Sequence, residues 1–129
     1  MGRSKSLGDG AVLAVMSDLH QRRWNVFIPI GENSPVDLVG LDPIGRACRI
    51  QIRYSATRTN SGKPILKLAN VTYKAGGGYR RYTLDRSKID LFALLSEDGK
   101  LYYIASVSIP TKKTSEIVVQ AEAGRLPDW

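Results

Sequence analysis

Asp37, Gln51 and Arg53 are the residues of this chain whose types and spacing suit a shared chemistry. They lie in Asn33-Ser-Pro-Val-Asp37-Leu-Val-Gly-Leu, then Asp42-Pro-Ile-Gly45, then Arg46-Ala-Cys-Arg-Ile-Gln51-Ile-Arg53-Tyr-Ser55. The central four residues place Asp first, Pro second and Gly last, as a type I turn closed by a bulge glycine prefers. With Pro43, Ile44 and Gly45 as the loop, Asp42 faces Arg46, and counting outward sets Asp37 opposite Gln51. Side chains alternate along a strand, so Asp37, Gln51 and Arg53 emerge on one side and Ile50 and Ile52 on the other. An anionic oxygen, a neutral amide oxygen and a guanidinium that stays charged then converge on one spot. The same residues also fit a plainer arrangement. In it Asp37 is a turn carboxylate after Ser34-Pro35, and Gln51 and Arg53 face solvent beside it.

Other elements must hold that hairpin in place. Residues 1 to 6 are basic and small and read as a frayed start. Leu7 to Arg23 carries apolar residues at 12, 15, 16 and 19, the spacing of an amphipathic helix, with Gly8 and Gly10 weakening its first turn. Trp24 to Pro29 is β-branched and aromatic and reads as a strand on which the helix packs. After the hairpin, Ser55 to Lys63 is a polar loop, and Ile65 to Tyr73 reads as a further strand. Asp90 to Leu95 is an apolar strand or helix. Glu97-Asp98-Gly99-Lys100 makes a hairpin turn, and Leu101 to Ile109 returns as a strand ended by Pro110. Glu116 to Gln120 is a last apolar strand or helix, and residues 121 to 129 form a tail.

Composition narrows the class. At 129 residues and 43% hydrophobic, the whole chain, 1–129, is expected to form one domain around one core. Nineteen Lys and Arg against twelve Asp and Glu give a net charge of +7 and a pI near 9.8. That balance favours a polyanionic partner, nucleic acid before membrane. No apolar run approaches the roughly 18 residues of a membrane span, and the first residues carry no signal-peptide core. The one cysteine, Cys48, lies on the Ile50 and Ile52 side of its strand and reads as a buried structural thiol. A soluble, cytoplasmic protein is expected.

The order Pro35-Val36-Asp37, a turn, then Gln51-Ile52-Arg53 resembles the PD-(D/E)XK nucleases, within them the small intron-associated homing endonucleases that carry Gln in the second half-motif. The likeness spans most of the chain, from the opening helix and Val-Phe-Ile-Pro through Arg81-Tyr-Thr and Ile89-Asp-Leu-Phe-Ala to the Tyr-Tyr-Ile strand. It implies an α/β fold, a mixed β-sheet flanked by helices in a restriction-endonuclease-like core. It further implies a homo-oligomer, dimer or tetramer, acting on double-stranded DNA.

As cofactor the resemblance implies Mg2+, held by the Asp37 carboxylate, the Gln51 amide oxygen and the Ile52 carbonyl, with Asp37, Gln51 and Arg53 as the catalytic set. Magnesium's preference for hard oxygen ligands agrees with that choice. Arg58 and Lys63 in the polar loop and Lys74, Arg80 and Arg81 around three glycines suit contacts to the DNA backbone. The glycine-rich stretch fits a solvated hairpin tip equally well. Two departures bear on activity. The family's opening helix offers a glutamate to this site, and aligning Gly8-Asp9 with the family's Gly-Asp start puts Val12 at that place. The expected lysine two residues after Gln51 is Arg53, which cannot serve as a base. Cleavage by descent, weakened or lost, is therefore expected. The alternative is a non-catalytic DNA-binding or assembly subunit on the same fold.

Overall fold

The computed structural model describes residues 3–31, 34–73, 79–83, 86–110 and 115–128, with backbone alone for 3–6, 69–73 and 79–83. Helix α1 spans Arg3–Gln21, so it starts before the glycines that the sequence suggested would weaken its first turn. Ala11, Val15 and Leu19 are fully buried, one helical turn apart, with Val12 and Met16 flanking them. The helix ends in a Schellman motif, in which the Trp24 N–H reaches the Leu19 carbonyl and the Arg23 N–H reaches that of His20. Arg23 takes the left-handed position of that motif, at φ 66°, where glycine is usual.

Strands β1 (Asn25–Phe27), β2 (Leu38–Leu41), β3 (Ala47–Ser55), β7 (Leu91–Ser96) and β8 (Leu101–Ala105) form one sheet in the order β1-β2-β3-β7-β8. All neighbours are antiparallel except β3 and β7, which run parallel from Ile50↔Leu91 to Ser55↔Ser96. This is a mixed sheet in an α/β fold. The β2–β3 hairpin has the expected register: Leu41 faces Ala47, and the Asp42 N–H donates to the Arg46 carbonyl. Gly45 has φ 88°, as the bulge position requires. Buried Asp42 takes bonds from the Ile44 N–H and from the N–H and Nε of Arg46, at 2.7–3.1 Å.

Each face of the sheet carries its own core. On the first, Leu38, Cys48, Ile50, Ile52, Leu91 and Ala93 pack with Ala11, Val15 and Leu19 of α1. Gly40 belongs there because a Cβ would come within 2.7 Å of the Trp24 ring. On the second face, Phe92, Leu94, Tyr102 and Ile104 pack beneath Leu66 and Val119. Leu66 belongs to β4 (Ile65–Lys67), which pairs with β9 (Glu116–Val118), so a small two-stranded sheet covers this side. That cover lies over β7 and β8 and reaches β3, and Val36 just before β2 joins its edge.

The stretch read as one strand from Ile65 to Tyr73 divides at Leu68. Its second part is β5 (Ala69–Tyr73), paired with β6 (Tyr79–Thr83) as a separate ribbon. The returning strand β8 stops at Ala105, and Ser106–Ser108 turns as a short 3-10 helix. The tail docks on the body. The Gly124 N–H donates to the Leu101 carbonyl, Arg22 holds the Gly124 carbonyl, and Leu126 packs on the helix-side core.

Candidate active site

Where β2 begins, its ladder with β3 ends, and Asp37 sits at that corner. The Asp37 N–H donates to the Ile50 carbonyl at 2.9 Å, the last backbone rung described. The next donor of β3, the Ile52 N–H, is taken by the Asp37 carboxylate at 2.8 Å through Oδ2. The same oxygen accepts from Gln51 Nε2 at 2.9 Å. Acid and amide are thus side by side, as counting along the hairpin predicts. N–H and C=O of one strand residue point the same way, so the Ile52 carbonyl faces the same corner.

The corner is partly closed to water. Gln51 is 6% exposed, and Asp37 and Arg53 are half-buried. Burial pushes the Asp37 carboxyl above its ordinary value; the Ile52 N–H and the nearby Arg53 charge offset part of that shift. Gln51 Oε1 is buried and has no hydrogen-bond partner among the described residues. A buried amide oxygen left in that state costs free energy unless something else binds it. An orphaned hard oxygen beside a desolvated carboxylate and a strand carbonyl fits a divalent cation. The set holds one carboxylate, and no group of three His, Cys, Asp or Glu suited to a metal occurs among the described residues.

The helix position aligned with the family's glutamate does not supply a second oxygen. Val12 packs on the helix-side core, with Ile50 and Ile52 rather than with Gln51. Asp9 is exposed. Of the basic residues expected at a phosphate backbone, Arg58 is already engaged. It donates to the Gly62 carbonyl and Ser96 Oγ and pairs with Glu97 and Asp98, the last at 3.1 Å. The polar loop is thereby clamped to the β7–β8 turn, which leaves Arg58 less to offer a phosphate. Exposed Lys63 reaches Gln120 at 2.7 Å. Arg80 and Arg81 lie in β6, opposite Thr72 and Val71. Lys74 lies outside the described residues.

Cys48 is a structural thiol, 1% exposed, and burial pushes it up to about 12. Sequence reasoning passed over Arg49, which forms a two-pronged bond with Asp90: Nε to Oδ2 and Nη2 to Oδ1, each at 3.0 Å. The signal was there in the alternation, since 49, 51 and 53 share a face.

The PD-(D/E)XK endonuclease family matches residues 2–126, and the chain belongs to it. Among solved structures, the bacterial homing endonuclease I-Ssp6803I superposes with a TM-score of 0.76 at 20% identity, over 94% of this chain and 80% of that one. The two share a fold. No curated protein matches the chain. Members of this family generally use divalent metals, and the chain's nuclease-like character follows from its membership.

Proposed function

We propose that this protein binds double-stranded DNA and cleaves it slowly, with Mg2+ or a similar divalent ion at the Asp37 corner. The observation that carries the reading is the orphaned Gln51 Oε1 beside the desolvated Asp37 carboxylate. Asp37, Gln51 Oε1 and the Ile52 carbonyl would hold the ion. Bound there, it supplies Lewis acidity and an activated water. The bond from Gln51 Nε2 to Asp37 fixes the amide, so that Oε1 is presented without a rotamer search.

Arg53 contributes positive charge beside the carboxylate and would bind the phosphate being cut. It cannot take a proton from water, because a guanidinium stays protonated at any ordinary pH. With one carboxylate and no lysine, turnover is slow. A catalytic group of this kind is commonly worth about 10² to 10⁴ in rate.

Duplex contacts fall to the basic residues outside the corner. The β5–β6 ribbon bearing Arg80 and Arg81 has the form that a major groove admits, and Lys74 and Lys63 add charge. Arg58 joins them only if it gives up its carboxylates. A chain of this size covers a short stretch of duplex, so we assign a homo-oligomer, dimer or tetramer. Its single buried thiol suits a reducing cytoplasm.

The test is nicking of supercoiled plasmid in Mg2+, Mn2+ or EDTA by the wild-type chain and by Asp37→Ala. Slow nicking in metal that disappears in the variant supports the enzyme. Duplex binding without cleavage at any metal concentration supports the non-catalytic subunit, a reading favoured by the lone carboxylate.

A further inference from the structure

The register carries the site beyond the catalytic corner. Asp37 and Gln51 form one cross-strand row. The next row along the same face is Phe27↔Val39↔Arg49, because Val39 faces both Phe27 and Arg49. Leu38 and Ile50, between these rows, and Val26 and Cys48, in the row beyond, all pack under α1, so Phe27, Val39 and Arg49 leave the sheet on the side of Gln51. The two rows are two residues apart along β3, about 7 Å at 3.3 Å per residue. On this face the β4–β9 cover packs over β7 and β8 and reaches β3, while Val39 stays half-buried and Arg49 exposed. Phe27 is 51% exposed there.

Arg49 is at once held and presented. Asp90 takes Nε, Nη2 and the backbone N–H, and the Ser87 carbonyl takes Nη2 at 3.2 Å. Both Nη1 hydrogens lack a partner among the described residues, and the side chain is 44% exposed. A guanidinium fixed in this way loses little freedom when it binds a phosphate oxygen. Beside it opens a cleft of about 610 Å³, lined also by Arg86, Ser87, Val107 and Ile109, with room for the sugar of a bound nucleotide.

Resting on the duplex-binding reading above, we infer that Arg49 holds the phosphodiester next to the one at the Asp37 corner, and that Phe27 is an apolar platform for the same strand. Asp90 is a positioning residue that acts through Arg49. The DNA strand being cut therefore runs along β3 from the Asp37 corner to Arg49.

Binding of a fluorescent mixed-sequence duplex is measured in EDTA over a range of KCl, for the wild type, Arg49→Ala, Arg49→Lys and Phe27→Ala. Circular dichroism and size-exclusion light scattering accompany each variant. Arg49→Ala is expected to bind about tenfold more weakly. Its log–log salt slope should be shallower by about 0.9, one phosphate contact. Arg49→Lys should keep the slope and lose part of the affinity, and Phe27→Ala should weaken binding at unchanged slope. If Arg49→Ala misfolds, Arg49→Lys and Phe27→Ala decide the matter.

Wild-type affinity and slope in the folded Arg49 variants overturn the inference. If the wild type still nicks through Asp37, the function survives and only the path is wrong. A wild-type chain that binds no duplex overturns both. A change of mass in Arg49→Ala or Phe27→Ala with DNA binding intact gives the face to a second copy of the chain and likewise overturns the inference.

Discussion

Asp37 carries opposing demands. Its carboxyl is raised above the ordinary carboxylate value, mainly by burial, so the folded state favours the protonated form. Stability from this group is therefore full at low pH and lost as pH rises through its folded value. Asp37→Asn should melt at a higher temperature than wild type at neutral pH, with the gap closing in acid, while metal-dependent nicking disappears. Thermal unfolding at two pH values reads the first part and plasmid relaxation the second. Metal must displace the same proton, so the acid limb of nicking should fall through a single ionisation that moves to lower pH as the metal concentration rises. At position 53, a lysine can orient and deprotonate water where the guanidinium cannot. Arg53→Lys should raise the nicking rate by about tenfold or more. Adding Val12→Glu should give no further gain and cost about 1–3 kcal/mol, because position 12 packs on the helix-side core.

At the scale of elements, the hairpin was legible because its information is local. Asp42, Pro43 and Gly45 each have a stereochemical reason for their places, and two-residue periodicity did the rest. Asp42→Ala leaves the Ile44 and Arg46 N–H groups without their acceptor and should cost about 2 kcal/mol in denaturant unfolding. The Schellman turn makes the opposite prediction. Arg23→Gly relieves a left-handed backbone and should stabilise by about 0.5–1 kcal/mol. What the sequence left unread depends on distant partners. The parallel pairing of β3 with β7 joins residues about forty positions apart, and the break at Leu68 arises because β4 finds β9 while β5 finds β6. Arg58 read as available charge, since nothing near it in sequence announces Glu97 and Asp98. The start of α1 was placed too late because Gly8 and Gly10 are poor helix formers in isolation, whereas packing of Ala11, Val15 and Leu19 sustains the helix.

For the whole molecule, the two faces of the sheet are covered differently. One face of the sheet packs against α1, and the other carries the β4–β9 cover over β7 and β8. The Asp37 corner lies at the edge of this cover, where Asp37 is half-buried and its carboxyl is desolvated. On the duplex-binding proposal, a net charge of +7 would draw the duplex in and make binding salt-sensitive. On the proposed reading, this corner is a divalent-cation site assembled from one carboxylate and two neutral oxygens. Titration of Mn2+ followed by electron paramagnetic resonance tests it most directly, with wild type, Asp37→Asn and Gln51→Leu compared. Binding is expected in the wild type, with its loss in Asp37→Asn and its weakening in Gln51→Leu. Absence of binding in the wild type, or equal binding by all three chains, would contradict it.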